Sequence, residues 1–409
     1  MLLTQRSFGR LALIPALTQP MTQLLEAQNA KATPFRVAIP KQTIDRILRR
    51  VKETQFPEAI GGSGWQWGVS HDYMKDLAAY WTTRFDWRKV EAKLNSHPQF
   101  MAHVGDFDIH FLHVRGKGPK PTPLIVTHGW PGSVVEFLDV IGPLTDPASF
   151  GGSADDSFDV VVPSLPGFGF SSKPKGKPIG PVTTAKLWHQ LMTGVLGYTK
   201  YGAQGGDWGN AITIQLAVQF PGDLTGIHLN SASVGGAPDN QRSEEERAWL
   251  REVAVYRQNE LDYFFEQTHK PQTVGFALAD NPVGTAAWIT EKLKVWSDSG
   301  DDLDKTLSKD QVLANVMWYL VTQSEASGVW FYRGNAEEPA PPRGKVNVPT
   351  GFAAFPKEMK MLEPPRSALE RDFNLVHYTK MPMGGHFAAF EQPKLFVEDV
   401  RKFFRGFRG

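Results

Sequence analysis

The stretch that decides the fold is Tyr201-Gly202-Ala203-Gln204-Gly205-Gly206-Asp207-Trp208-Gly209, followed by the helix-compatible run from Ala211 to Val218. Tyr201 to Gln204 reads as a short strand that ends in a glycine pair. A polar residue set between glycines, with a strand before it and a helix after it, marks a sharp turn. Glycine tolerates the strained backbone that aims the middle side chain outward. A glycine-flanked Asp alone is equally an ordinary turn residue or a helix N-cap, so the reading depends on what lies around it.

Outward from that turn, strands and helices alternate. Phe107, Ile109 and Phe111 interleave with Asp108, His110 and Leu112, a period of two. Pro123 to Thr127, Phe158 to Val162 and Leu224 to Leu229 are short apolar runs of the kind that form buried parallel strands. Helical stretches from Thr184 to Leu196 and from Ala211 to Val218 separate them. Strand–helix alternation predicts an α/β protein with a mostly parallel, doubly wound sheet.

Between 235 and 335 the alternation stops, and the region is helical and rich in Trp, Tyr and Phe. An all-helical insert in such a sheet reads as a cap over its C-terminal edge, where ligands bind. Alternation resumes with Lys345 to Thr350, Leu375 to Thr379 and a last helix from Pro393 to Phe404, whose stripe is Phe396, Val400, Phe403 and Phe404. Ahead of the sheet, Ile44, Ile47, Leu48 and Val51, then Tyr73, Leu77, Tyr80 and Trp81, predict a helical leader. Trp65 and Trp67 lie in the glycine-rich loop between those helices and are expected to pack against the main domain. The expected division is a leading segment 1–33, a leader 34–102, a first core part 103–234, a cap 235–335 and a second core part 336–409, without internal repeats.

Composition narrows the function classes. Of 409 residues 41% are apolar and 21% charged, enough to bury a core, and the net charge of +1 comes without a block of Lys or Arg. Nucleic acid is therefore not the expected partner. Cysteine is absent, which excludes disulfides and thiolate chemistry. No apolar run reaches the length of a membrane span. Gln5 to Arg10 followed by Leu11 to Leu17 resembles a degenerate export signal, though Pro15 interrupts it. The expected location is the cytoplasm, with export as the alternative.

With a strand before it and a helix after it, Gly205 to Gly209 matches the G-x-S-x-G elbow of the α/β-hydrolase fold, with Asp207 in the Ser position. Gly384-Gly385-His386-Phe387 follows the last strand, where that fold carries its histidine, and the order nucleophile, acid, histidine is kept. His128-Gly129-Trp130-Pro131-Gly132-Ser133 follows the strand ending at Thr127, the place of the oxyanion loop. The candidate oxyanion donors are the backbone N–H groups of Trp130 and Trp208; His128, Gly129 and Pro131 shape the loop. His110 and His113 fall on opposite faces of a strand without paired carboxylates, so no metal is expected.

The change from Ser to Asp has a chemical meaning. Serine attacking a saturated carbon would leave an ether, which water does not readily cleave. A carboxylate leaves an alkyl ester, which a histidine-activated water can hydrolyse. The substrates so implied are epoxides and alkyl halides. An epoxide oxygen leaves as a basic alkoxide and needs a proton, which a phenol can supply. The insert holds Tyr256, Tyr263, Tyr319 and Tyr332, and composition does not choose among them.

From about Phe35 to Phe404 the sequence resembles the microsomal-type epoxide hydrolases, including the insect juvenile hormone branch. The resemblance rests on His128 to Ser133, Gln204 to Gly209, Lys270-Pro271-Gln272-Thr273-Val274-Gly275, Asn281-Pro282-Val283-Gly284, Val348-Pro349-Thr350-Gly351-Phe352 and Gly384 to Glu391. It implies Asp207 as nucleophile, His386 as base, Tyr263 and Tyr332 as the ring-opening acids, and Glu358 as the acid behind His386. The residues alone also allow Glu363 or Asp372 in that last role. It further implies hydrolysis of epoxides to vicinal diols with no metal or organic cofactor, an apolar epoxide and water as partners, and leaves a homodimer open. Members often carry an N-terminal membrane anchor; the first 30 residues here are too polar and too broken by Pro15 and Pro20 to span. The alternatives are a haloalkane dehalogenase built on the same Asp, with Trp130 and Trp208 donating N–H groups to halide, and a non-catalytic ligand receptor.

Overall fold

The computed structural model describes residues 31–61, 64–341 and 344–408. Among them nine strands form one sheet: β1 (Thr33–Phe35), β2 (Gln99–Val104), β3 (Phe107–Val114), β4 (Thr122–Thr127), β5 (Phe158–Pro163), β6 (Tyr201–Gly205), β7 (Leu224–Leu229), β8 (Val346–Ala354) and β9 (Phe373–Lys380). Their order across the sheet is β1-β2-β3-β5-β4-β6-β7-β8-β9. From β5 to β9 every pairing is parallel; β1, β2 and β3 add an antiparallel edge. The inner parallel strands β5 and β6 are covered on both faces, and every residue of both is buried.

The chain leaves β4 for β5 on one side and then crosses to β6 on the other. This reversal opens a crevice at the C-terminal ends of β4 and β6, the place where such sheets bind ligands. Asp207 follows β6 there.

Among the described residues six α-helices lie between β7 and β8: Glu244–Glu260, Asp262–His269, Pro271–Leu278, Pro282–Trp296, Lys309–Thr322 and Glu325–Glu337. Their starts are written locally. Ser243 with Glu246, and Ser308 with Gln311, form reciprocal capping boxes, and Pro271 and Pro282 stand in first turns. The leader clasps this insert. Arg46 pairs with Asp280 at 2.9 Å, the Tyr73 hydroxyl donates to Asp304 at 2.8 Å, and the Tyr80 hydroxyl donates to Asp310 at 3.0 Å.

Some expectations need correction. The leader is not purely helical, because β1 and β2 come from it, and β2 runs across the 102/103 border. The burial of β2 does not alternate cleanly, since its neighbours cover it unevenly, and its period was therefore weak. β8 continues to Ala354 past Pro349 and Gly351, two residues that normally weaken a strand. Trp65 packs on Tyr73 at 5.3 Å, but Trp67 is 68% exposed. It sits in a surface loop, where a lone exposed aromatic is ordinary. The export-signal reading falls on residues outside those described. Among the described residues no helix is long and apolar enough to cross a membrane.

Candidate active site

The turn after β6 is strained as its sequence implies. Asp207 has φ 49° and ψ −130°, a left-handed backbone at a residue that is not glycine. Such conformations cost about 1–3 kcal/mol and persist where the surroundings enforce them. Here the enforcement is close packing. A Cβ on Gly209 would stand 2.0 Å from the Thr127 carbonyl oxygen, and one on Gly129 would stand 2.0 Å from Asp207 Oδ1. The Asp207 N–H donates to Ser231 Oγ at 3.0 Å, and Ser231 also accepts from Asn210 Nδ2 at 2.9 Å.

The loop after β4 meets this carboxylate directly. The Trp130 N–H donates to Asp207 Oδ1 at 2.8 Å. His128 donates through Nδ1 to the Gly129 carbonyl at 2.9 Å and accepts through Nε2 from the Leu165 N–H at 3.2 Å. Burial depresses its pKa to about 4, so it is a neutral loop support. The Trp130–Pro131 peptide is cis. The insert holds the same loop: Asn315 Nδ2 donates to the Pro131 carbonyl at 2.7 Å, and the Tyr319 hydroxyl donates to the Gly132 carbonyl at 2.7 Å.

On the other oxygen, His386 Nε2 lies 3.2 Å from Asp207 Oδ2, without the alignment of a full hydrogen bond. His386 Nδ1 lies 2.6 Å from Glu358 Oε1, and both side chains are 1% exposed. Burial opposes a charge on this imidazole, but Glu358 and Asp207 together outweigh it and hold its pKa well above the usual histidine range. Glu363 instead pairs with Lys360 at 3.3 Å, and Asp372 accepts from the Gly235 N–H.

Tyr263, on helix Asp262–His269, and Tyr332, on helix Glu325–Glu337, are both buried above Asp207. Their ring centroids are 6.0 Å apart, and each lies 5.7 Å from the Trp130 ring. Burial, then the Asp207 charge, raises the Tyr263 pKa well above its ordinary value; burial, Tyr263 and Asp207 do the same for Tyr332. Asp207, Tyr263 and Tyr332 line one cavity of about 310 Å³, whose other walls include Trp208, Ile214, Phe264 and Leu362. A smaller cavity of about 20 Å³ touches Asp207 together with His386, Glu136 and Asn230, enough for a single water.

The structure thus brings together Asp207, His386, Glu358, Tyr263, Tyr332 and the Trp130 amide, with Trp208 beside them. Of the other candidate tyrosines, Tyr319 is spent on the Gly132 carbonyl, and Tyr256 is not among the residues that line the cavity with Asp207. His110 bonds Ser164 at 2.9 Å and Gln99 at 3.0 Å, and His113 bonds Tyr198 at 2.9 Å. Among the described residues no group of three His, Cys, Asp or Glu could hold a metal ion. Sequence reasoning missed Asn315, which holds the loop after β4, and Glu136, which lines the smaller cavity. Glu136 was findable, because Ser133-Val134-Val135-Glu136 has the capping-box spacing and the box forms.

Fold and site together define an α/β hydrolase in which a carboxylate stands at the nucleophile elbow. Residues 122–310 match the alpha/beta hydrolase fold family, and residues 32–137 match the family described as the epoxide hydrolase N terminus. A putative epoxide hydrolase of Stigmatella aurantiaca is 43% identical over 378 residues, 92% of this chain and 85% of that protein. Epoxide hydrolase 1 of Oryctolagus cuniculus is 35% identical over 94% of this chain and 91% of its own length. The crystal structure of juvenile hormone epoxide hydrolase from the silkworm Bombyx mori superposes with a TM-score of 0.83 at 29% identity, covering 95% of this chain and 97% of that one. The chain belongs to the epoxide hydrolase family of enzymes.

Proposed function

We propose that the chain hydrolyses apolar epoxides to vicinal diols through a covalent ester on Asp207. The observation that carries this reading is the meeting of a carboxylate and two phenols in one cavity: Asp207, Tyr263 and Tyr332 line the same walls. In the first step Asp207 attacks a ring carbon and the C–O bond on its far side breaks. Tyr263 and Tyr332 share the epoxide oxygen, and one of them transfers its proton to it. In the second step His386 takes a proton from water, and the resulting hydroxide attacks the ester carbonyl carbon. The Trp130 and Trp208 N–H groups receive the charge that develops on the carbonyl oxygen. Collapse releases the diol and restores the carboxylate. Glu358 holds the imidazole in orientation and balances its positive charge. Water is the only second reactant.

Two phenols favour an epoxide over an alkyl halide, since a halide leaves without a proton. Apolar walls such as Ile214, Phe264 and Leu362 suit an aryl or terpene oxide. The roles divide among the parts of the chain: the core segments 103–234 and 336–409 supply nucleophile, base and acid, and the cap 235–335 supplies the tyrosines.

The test is a single turnover in heavy-oxygen water with enzyme in excess. The diol should carry ordinary oxygen, and the peptide containing Asp207 should gain one label. Label in the diol with none at Asp207 would mean direct attack by water and sink the covalent scheme.

A further inference from the structure

Resting on the reading of His386 as the base, we propose that Glu391 is a positioning residue that locks the histidine loop to the cap. Four consecutive amides surround the imidazole, and each donates to a fixed acceptor. Gly384 N–H donates to Asp298 Oδ2 at 3.0 Å, Gly385 N–H to Glu391 Oε2 at 3.0 Å, His386 N–H to the Trp296 carbonyl at 2.9 Å, and Phe387 N–H to Glu391 Oε1 at 2.9 Å. Two of these acceptors, Trp296 and Asp298, belong to the end of cap helix Pro282–Trp296 and the residues just after it. Glu391 closes the ring, because its Oε2 also accepts from the Asp298 N–H at 2.7 Å.

One buried carboxylate thus joins the residues on both sides of the base to the cap. The joint is tight. A Cβ on Gly385 would stand 2.6 Å from the Trp296 carbonyl oxygen, and Gly384 has φ +102°. The Trp296 ring then stands 5.2 Å from both the His386 ring and the Tyr263 ring. Tyr263 on the cap and His386 on the core are therefore set against each other through one aromatic side chain. Hydrolysis of the ester needs the imidazole aimed at a water beside Asp207; alkylation of Asp207 does not. Loss of Glu391 should accordingly slow the second step and spare the first.

The experiment compares wild type with Glu391→Gln and Asp298→Ala, using an aryl epoxide that wild type turns over. Quench-flow with mass spectrometry reads ester formation and ester loss separately. A Gln at 391 has one acceptor oxygen for three N–H donors. Ester loss should slow about 10- to 100-fold while ester formation stays within about threefold. The pH midpoint of ester loss should shift as the imidazole loses its fixed orientation. Asp298→Ala cuts only the Gly384 tie and should slow ester loss by a smaller factor, which keeps the proposal testable if the Gln variant does not fold. Equal loss of both steps in parallel with melting temperature would leave Glu391 a merely structural residue and overturn the proposal, as would ester loss at the wild-type rate in either folded variant. A wild type that forms no Asp207 ester would instead bring down the covalent mechanism itself.

Discussion

Replacing Glu358 with Gln isolates the charge behind the base. Glu358 Oε1 stands 2.6 Å from His386 Nδ1, with both side chains sealed from solvent, and also accepts from the Met359 N–H at 2.7 Å. An amide in its place keeps the shape and one acceptor oxygen but removes the negative charge. A hydrogen bond to a charged group contributes about 1.5–3 kcal/mol. At about 1.4 kcal/mol per decade, losing that stabilisation of the forming imidazolium slows ester hydrolysis about 10- to 150-fold. Attack by Asp207 on the ring does not require a proton to move to His386, so ester formation should stay near the wild-type rate. The pH dependence has a definite sign. Glu358 and Asp207 hold the His386 pKa up against burial, so without Glu358 the imidazole loses its proton at lower pH. The hydrolytic step should then reach its lower plateau at a lower pH than in wild type. Rapid mixing of the variant with an aryl epoxide, acid quench and mass spectrometry of the Asp207 peptide follow both steps. Equal slowing of both steps, or an unchanged hydrolytic rate, would refute the assignment of Glu358 as the partner of the base.

Tyr263→Phe and Tyr332→Phe should each slow ester formation about tenfold, and the double variant about 100- to 10,000-fold, with ester hydrolysis little changed; single variants that open the ring at the wild-type rate would show that the wrong tyrosines were chosen. Glu136 has its pKa pushed up to about 8 by burial. Its folded pKa lies above the unfolded one, so the stability it carries is lost as pH rises through the folded value. Glu136→Gln removes that titration, and melting curves from about pH 6 to about pH 9 should show the variant gaining on wild type as pH rises. A gap that does not change with pH would mean that Glu136 is charged throughout.

The elements most legible in the sequence were those whose pattern has one physical cause. Leu224–Leu229 and Pro393–Phe404 appear with the bounds their apolar runs and stripe imply. The elbow was legible because backbone passes within van der Waals contact of its glycines, which leaves no freedom in residue choice. Glu358 could not be separated from Glu363 or Asp372 by spacing, because all three follow β8 and only the path of the loop decides which one reaches His386. Asn315 acts on a backbone carbonyl, which has no residue code, so nothing in the sequence marks it, and Glu391 closes the motif Gly384 to Glu391 without its spacing revealing the amides it binds. β1 was missed because three residues with little burial carry no period.

The charges in the site form a closed cycle under the proposed mechanism. In the resting state Asp207 and Glu358 flank His386 at 3.2 and 2.6 Å and raise its affinity for a proton. A protonated imidazole cannot activate water, and the Asp207 charge favours that protonated form until Asp207 has reacted. Attack on the epoxide converts the Asp207 carboxylate to a neutral ester, and one of the two charges that hold the proton disappears. The same event lowers the cost of a phenolate, because the Asp207 charge is one cause of the raised Tyr263 and Tyr332 pKa values. A tyrosine can then hand its proton to the opening alkoxide, and the proton leaving His386 balances it through solvent. Loss of the Asp207 charge therefore favours His386 as a base at the moment there is an ester to hydrolyse. Hydrolysis returns a proton to His386 and a charge to Asp207, which is the starting state. A serine at 207 would be neutral before attack and could not switch the histidine in this way, so the carboxylate serves both as the nucleophile for a saturated carbon and as the trigger for the base.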